Sequence, residues 1–343
     1  TGDSIAVGVT FTATGGTITQ SGLYTAGSTA GTYRVIASSD GLADTSSVTV
    51  TVPLGSGTLG IPFGPTQLVA NDGPIGDFTM SLDGVNANII VDRISWARTN
   101  RFRLLMNMTG GSHSLYMTDG VFDMGKWKAK MDTYNTASIR DAVARGVADG
   151  VIIGNSVMDE PNAAGFGDVG GNTWGPAGTM NKARVDSMCG YVKGIFPTLP
   201  TGVFHRHDVL EPTKNYAVCD FIADQYVTRA GDVTAFRDAA LAFARRSNIS
   251  IVFSLNILNG GTQDKTDGTW DCTGTGGLGT RTGNCRMTPE QVRNYGDVLG
   301  PPGCGLLMWQ YDDRFMSVPD NQAAFRYLAT LLGGLPGKAC TRS

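Results

Sequence analysis

Between residues 59 and 335 the chain carries eight short, mostly apolar runs, at 60–64, 77–82, 102–108, 151–158, 202–206, 220–226, 250–256 and 305–310, most of them ending in polar residues. Runs this short and this continuously apolar fit strands covered on both faces, as in a parallel sheet. Helical periods lie between them, at Val185, Met188, Cys189 and Val192, at Phe236, Ala240, Phe243 and Ala244, and more weakly within 126–148 and 321–332. Strands that alternate with helices predict an α/β fold, and eight of them predict a (β/α)8 TIM-type barrel. No helix is evident over 65–76, so a barrel distorted in its first strands, or one of seven strands, stays open.

The first 52 residues are different in kind. They contain no Cys, Met, Trp or His and one basic residue, Arg34. Apolar residues alternate at Val7, Val9 and Phe11, at Tyr33, Val35 and Ala37, and at Val48, Val50 and Val52, with Gly15-Gly16 and Asp40-Gly41 as turn signals. The expectation is a small all-β sandwich at 1–52, a linker at 53–58 (Pro53-Leu54-Gly55-Ser56-Gly57-Thr58) and a barrel at 59–343. The stretches Phe11-Thr12-Ala13-Thr14-Gly15-Gly16, Gly22-Leu23-Tyr24-Thr25 and Gly31-Thr32-Tyr33-Arg34-Val35 resemble bacterial immunoglobulin-like domains. The resemblance implies a spacer or adhesive module, with surface attachment or self-assembly through this segment and no chemistry of its own.

Charge excludes one class of partner. With 27 Lys and Arg against 30 Asp and Glu, the net charge of −3 provides no basic field, so no nucleic acid is expected. No run reaches the roughly 20 apolar residues that span a bilayer, so no membrane insertion is expected. The chain begins at Thr1 without a leader, as a soluble, processed chain would. All six cysteines fall between Cys189 and Cys340 without a Cys-x-x-Cys, which favours disulfides and an extracellular, secreted or cell-surface setting. Six cysteines allow 15 connectivities. Position favours Cys189–Cys219, Cys304–Cys340 and Cys272–Cys285, the last closing a Gly/Thr-rich loop that contains little to bury.

Barrel chemistry sits where strands end. The fourth run ends Val157-Met158-Asp159-Glu160-Pro161, with one of only three glutamates in the chain. This segment resembles the (β/α)8 glycoside hydrolase superfamily, in which the fourth strand often ends Asn-Glu-Pro or Asp-Glu-Pro. The resemblance implies that Glu160 is the general acid/base, that Asp159 helps to bind substrate, and that Trp309, ending the eighth strand, stacks on a sugar. It implies a polysaccharide or oligosaccharide partner and no cofactor. The departure is at the seventh strand, where retaining members carry a second glutamate and this chain has Phe253-Ser254-Leu255-Asn256. Asn256 can bind a hydroxyl but cannot form a glycosyl ester.

Asp224, near the end of the sixth run, is therefore the chosen second carboxylate. It would activate water if it stood roughly 6.5–9.5 Å from Glu160, or act as nucleophile at about 5–5.5 Å. Tyr226, Asp312 and the pair His205 and His207 complete the expected substrate contacts. Two further readings stay open: a barrel without catalysis that binds glycans or builds a surface structure, and a metal-dependent hydrolase using His205 and His207.

Overall fold

A computed structural model describes residues 8–27, 31–50, 60–110, 113–161, 174–176, 178–262 and 285–342, in two compact units, Thr1–Pro53 and Leu54–Ser343. The first unit is built of small antiparallel sheets. Gly31–Ser39 pairs on one side with Thr10–Ala13 and on the other with Leu42–Val50, and Thr17–Ile18 pairs with Tyr24–Thr25. The long hairpin turns through Asp40 and Gly41, both at positive φ, which is the two-residue turn that Asp-Gly favours.

The second unit is an eight-stranded parallel barrel. Its strands are β1 (Phe63–Pro65), β2 (Met80–Gly84), β3 (Arg103–Asn107), β4 (Ile152–Asp159), β5 (Thr201–Phe204), β6 (Phe221–Tyr226), β7 (Ser250–Asn256) and β8 (Gly305–Trp309). They lie in the order β1-β8-β7-β6-β5-β4-β3-β2, so strands consecutive in the chain are neighbours in space. Between β1 and β2 the ring is closed by a parallel bridge from Thr66 to Leu82 and by the N–H groups of Gln67 and Thr79, which donate to the carbonyls of Leu82 and Phe63, both at 2.8 Å. Gly64 permits this approach: a Cβ there would sit 1.9 Å from the Met80 carbonyl oxygen. β1 and β2 begin three residues after the apolar runs that announce them.

The helices are α1 (Ile90–Thr99), α2 (Met124–Asp132), α3 (Ala137–Ala148), α4 (Lys182–Ile195), α5 (Val233–Ser247), α6 (Pro289–Leu299), α7 (Asp313–Met316) and α8 (Pro319–Gly333). The weak period over 126–148 is two helices, restarted where the Thr136 side chain accepts the N–H of Ile139. No helix follows β1 or β5. Met80, Leu82, Leu105, Phe204, Phe221, Ala223, Val252 and Leu307 fill the barrel lumen. A larger apolar layer lies between strands and helices.

Disulfides join Cys189 to Cys219 and Cys304 to Cys340; Cys272 lies outside the described residues. The first closes a separation of 30 residues and ties α4 to the segment that enters β6. Loop-closure entropy of that size contributes about 3–4 kcal/mol. Replacing both Cys189 and Cys219 by alanine is expected to lower the unfolding free energy by about 3 kcal/mol. Urea titration checks this, and an unmoved midpoint would reject it.

Candidate active site

Side chains alternate along a strand, so the residue two places beyond each lumen residue emerges at the carboxyl-terminal mouth. Gly84 follows Leu82 in this way, Asn107 follows Leu105, Gln225 follows Ala223 and Trp309 follows Leu307, while Asn256 ends β7. All five line one cavity of about 480 Å³.

Asp159 and Glu160 line the same cavity although they are consecutive. Consecutive strand residues face opposite sides, but Glu160 adopts φ 41°, in the left-handed region, which breaks the alternation. Its N–H still bonds the Phe204 carbonyl at 2.8 Å. A non-glycine residue there costs on the order of 1–3 kcal/mol, and such strain clusters at functional sites. Solvent reaches the Asp159 carboxyl through the cleft, yet the protein crowded around it, together with the Glu160 charge, raises its pKa to about 7.

The wall beside these acids is aromatic. Trp174, 3 % exposed, donates its indole N–H to the Asp159 carbonyl at 2.9 Å and meets the His113 ring edge-on at a centroid distance of 4.3 Å. Behind the wall, the buried Trp127 of α2 donates to the Thr109 hydroxyl at 2.9 Å, and that hydroxyl donates to the Val157 carbonyl on β4. Thr109 itself lines the cavity, so α2 braces the strand that carries both acids.

Of the residues expected from sequence, Glu160, Asp159, Trp309 and Asn256 stand together at the mouth. Asp224 does not. It alternates with the lumen residue Ala223 and the cleft residue Gln225, so it points outward, is 0 % exposed, and bonds His207 Nδ1 at 2.7 Å. It cannot reach a substrate held by Glu160. Tyr226, in the same phase, packs against Phe236 and Tyr295 and donates its hydroxyl to the Gly231 carbonyl. Asp312 caps α7 through the Phe315 N–H and pairs with Arg286 at 3.5 Å; it is not among the cavity-lining residues.

His205 and His207 are likewise buried outside the cleft. The His205 Nδ1–H donates to the Arg206 carbonyl and Nε2 accepts from the Tyr216 hydroxyl, both at 2.6 Å, so neither nitrogen is left for a metal. Among the described residues no group of three or more His, Cys, Asp or Glu is arranged to hold a metal ion. Burial in this environment depresses the His205 pKa to about 4. Between pH 6.5 and 4 the unfolded chain takes up a proton that the folded chain refuses, so stability is full above 6.5 and falls by about 3 kcal/mol as pH drops to 4. His207 opposes this, because the Asp224 hydrogen bond and charge outweigh the lowering by burial and raise its pKa. Chemical denaturation at several pH values should therefore show a shallower acid loss in His205→Gln than in the unsubstituted protein; equal slopes would refute the assignment.

The residues that sequence reasoning passed over are Asn107, Gln225, His113 and Tyr116, all lining the cavity. Asn107 and Gln225 share the phase of Leu105 and Ala223, and that phase is the only signal that marks them.

No family model and no curated protein matches the chain. Among solved structures it is similar to a bacterial Ig-like domain containing GH10 xylanase from termite gut, at 11 % identity and TM-score 0.42 over 95 % of this chain and 93 % of that one. It is also similar to a GH10 endoxylanase from a sugarcane soil metagenome, at 9 % identity and TM-score 0.49 over 81 % and 99 %, and to a GH113 β-1,4-mannanase, at 10 % and 0.45 over 80 % and 99 %. The barrel itself rests on the strand pairing. No helix among the described residues is long and apolar enough to cross a membrane.

Proposed function

We propose that the barrel mouth is the active site of an enzyme that hydrolyses glycosidic bonds in a polysaccharide or oligosaccharide, with Glu160 delivering the proton to the leaving oxygen. One observation carries the reading: two carboxylates, Asp159 and Glu160, share an open cavity at the carboxyl-terminal end of a parallel barrel with Trp309. Cleavage needs a carboxyl group that still holds a proton near neutral pH. The raised Asp159 pKa keeps a proton on that carboxyl, next to Glu160, up to about pH 7. Trp309 supplies a flat apolar surface of the kind on which a pyranose packs. The first unit is, on this reading, an immunoglobulin-like spacer that attaches or assembles the barrel, and the two disulfides suit an oxidising, extracellular setting.

A second reading, a barrel that binds glycans without cutting them, is favoured by the seventh strand. Among the described residues lining the cavity, the only carboxylates are the adjacent Asp159 and Glu160, and β7 ends on Asn256. Release of reducing ends from xylan, glucomannan, cellulose and chitin tests the two. Release supports hydrolysis; retention on these polymers without release supports the second reading.

A further inference from the structure

We infer that Gln67 is a substrate-binding residue, whose side-chain amide holds hydroxyl groups of the sugar ring that packs on Trp309. The inference rests on the reading of the barrel mouth as a glycan site, catalytic or not, and adds to it a subsite facing the acids.

Gln67 stands two residues beyond β1 and adopts φ 61°, in the left-handed region. That conformation crowds the Cβ of any L-residue against the backbone, so glycine is the residue that suits it. Among the described residues eight other than glycine have positive φ, and of these only Gln67 and Glu160 line the cavity.

The backbone at this position is held from several sides. The Gln67 N–H donates to the Leu82 carbonyl at 2.8 Å, a contact that helps to close the ring between β1 and β2. The Gln67 carbonyl accepts from the Asn71 N–H at 3.2 Å and from the Asn71 side-chain amide at 2.8 Å. The next residue, Leu68, is 0 % exposed and donates its N–H to Ser81 Oγ at 3.2 Å. These bonds fix φ whichever residue stands at position 67. None of them uses the glutamine side chain, which is exposed at the cleft. A strained position that keeps a long polar side chain, with nothing in the fold depending on that side chain, points to a role toward a ligand.

The neighbouring strand gives that role its chemistry. The Thr66 N–H donates to the Met308 carbonyl at 2.8 Å, so Gln67 and Trp309, each the next residue, emerge beside one another at the mouth. An indole face packs on the C–H face of a pyranose, and the hydroxyls then project around its rim. An amide next to that face meets them with a carbonyl that accepts and an NH2 group that donates. In the ring, β8 lies four strands from β4 in either direction, so Gln67 and Trp309 face Asp159 and Glu160 across the mouth.

Two substitutions separate the amide from the backbone. Gln67→Gly removes the side chain and relieves the strained φ, whereas Gln67→Ala removes the side chain and keeps the strain. The probes are β-1,4-linked xylohexaose, mannohexaose and cellohexaose, titrated calorimetrically into the full chain carrying Glu160→Gln to block turnover. We expect at least one hexasaccharide to bind, and both substitutions at position 67 to weaken it at least ~10-fold; tenfold is about 1.4 kcal/mol. Gln67→Gly should at the same time melt about 2 °C above Gln67→Ala. A more stable variant that binds less tightly is an outcome that a purely structural glutamine would not produce. Unchanged affinity in either variant, a Gln67→Gly protein that melts below Gln67→Ala, or no binding of any probe overturns the inference. Cleavage assays on the chain with Glu160 intact separate the two ideas. The expected binding pattern without cleavage removes the hydrolytic reading alone, and cleavage with undiminished affinity in both variants removes the inference alone.

Discussion

Replacing Glu160 by glutamine is expected to lower kcat on a cleaved glycan by about 10²–10⁴-fold while leaving the fold intact, because glutamine keeps the shape and loses the proton. Glu160 is solvent-exposed at the mouth and belongs to neither apolar layer, so its substitution leaves core packing untouched. The pH profile gives an independent reading. Asp159, next to Glu160, keeps its proton below about pH 7 and loses it above, so the rate should fall as pH rises past 7. Asp159→Asn removes one member of the pair and should move that limb. A Glu160→Gln protein that cleaves at the normal rate, or a limb that Asp159→Asn leaves in place, removes Glu160 and its neighbour from the chemistry.

The largest expected effect on stability is at Trp127. This side chain is 0 % exposed, packs edge-on to Tyr191, and donates its indole N–H to Thr109. Trp127→Ala empties a large volume in the layer between barrel and helices, at a cost of about 3–5 kcal/mol. For a unit of this size that is a fall in melting temperature of about 5–8 °C. The substitution also unseats Thr109, which bonds the Val157 carbonyl two residues before Asp159. Glycan affinity should therefore drop as well, even well below the melting temperature. Trp127→Phe restores most of the volume without the N–H, so it should recover most of the stability and less of the affinity. Calorimetric melting and glycan titration of the two variants check both statements; a Trp127→Ala protein as stable as the parent would contradict the packing described.

Much of the architecture is legible in the sequence because a parallel barrel writes each strand as a short, continuous apolar run. Eight such runs announce eight strands, and six lie within two residues of their observed bounds. The exceptions, β1 and β2, meet where backbone closes on backbone at Gly64, and that contact depends on a neighbouring strand rather than on local apolarity. The Asp159-Glu160-Pro161 strand end and Trp309 are legible for the same local reason, since each sits at the end of a run.

Asp224 shows where the sequence stops. In Phe221-Ile222-Ala223-Asp224-Gln225-Tyr226 both faces of the strand are buried, one by the lumen and one by the helices, so apolar residues occupy both phases and the order of residues does not say which phase looks inward. A single step of phase exchanges Asp224, against His207, for Gln225, at the cleft. Sequence alone thus marked eight candidate strands, with a seven-stranded ring still open, their order along the chain and the acidic end of β4. Only the tertiary structure decided which alternate residues face the mouth, because that choice is made by the closure of the ring and the packing of helices around it, contacts between residues far apart in the chain.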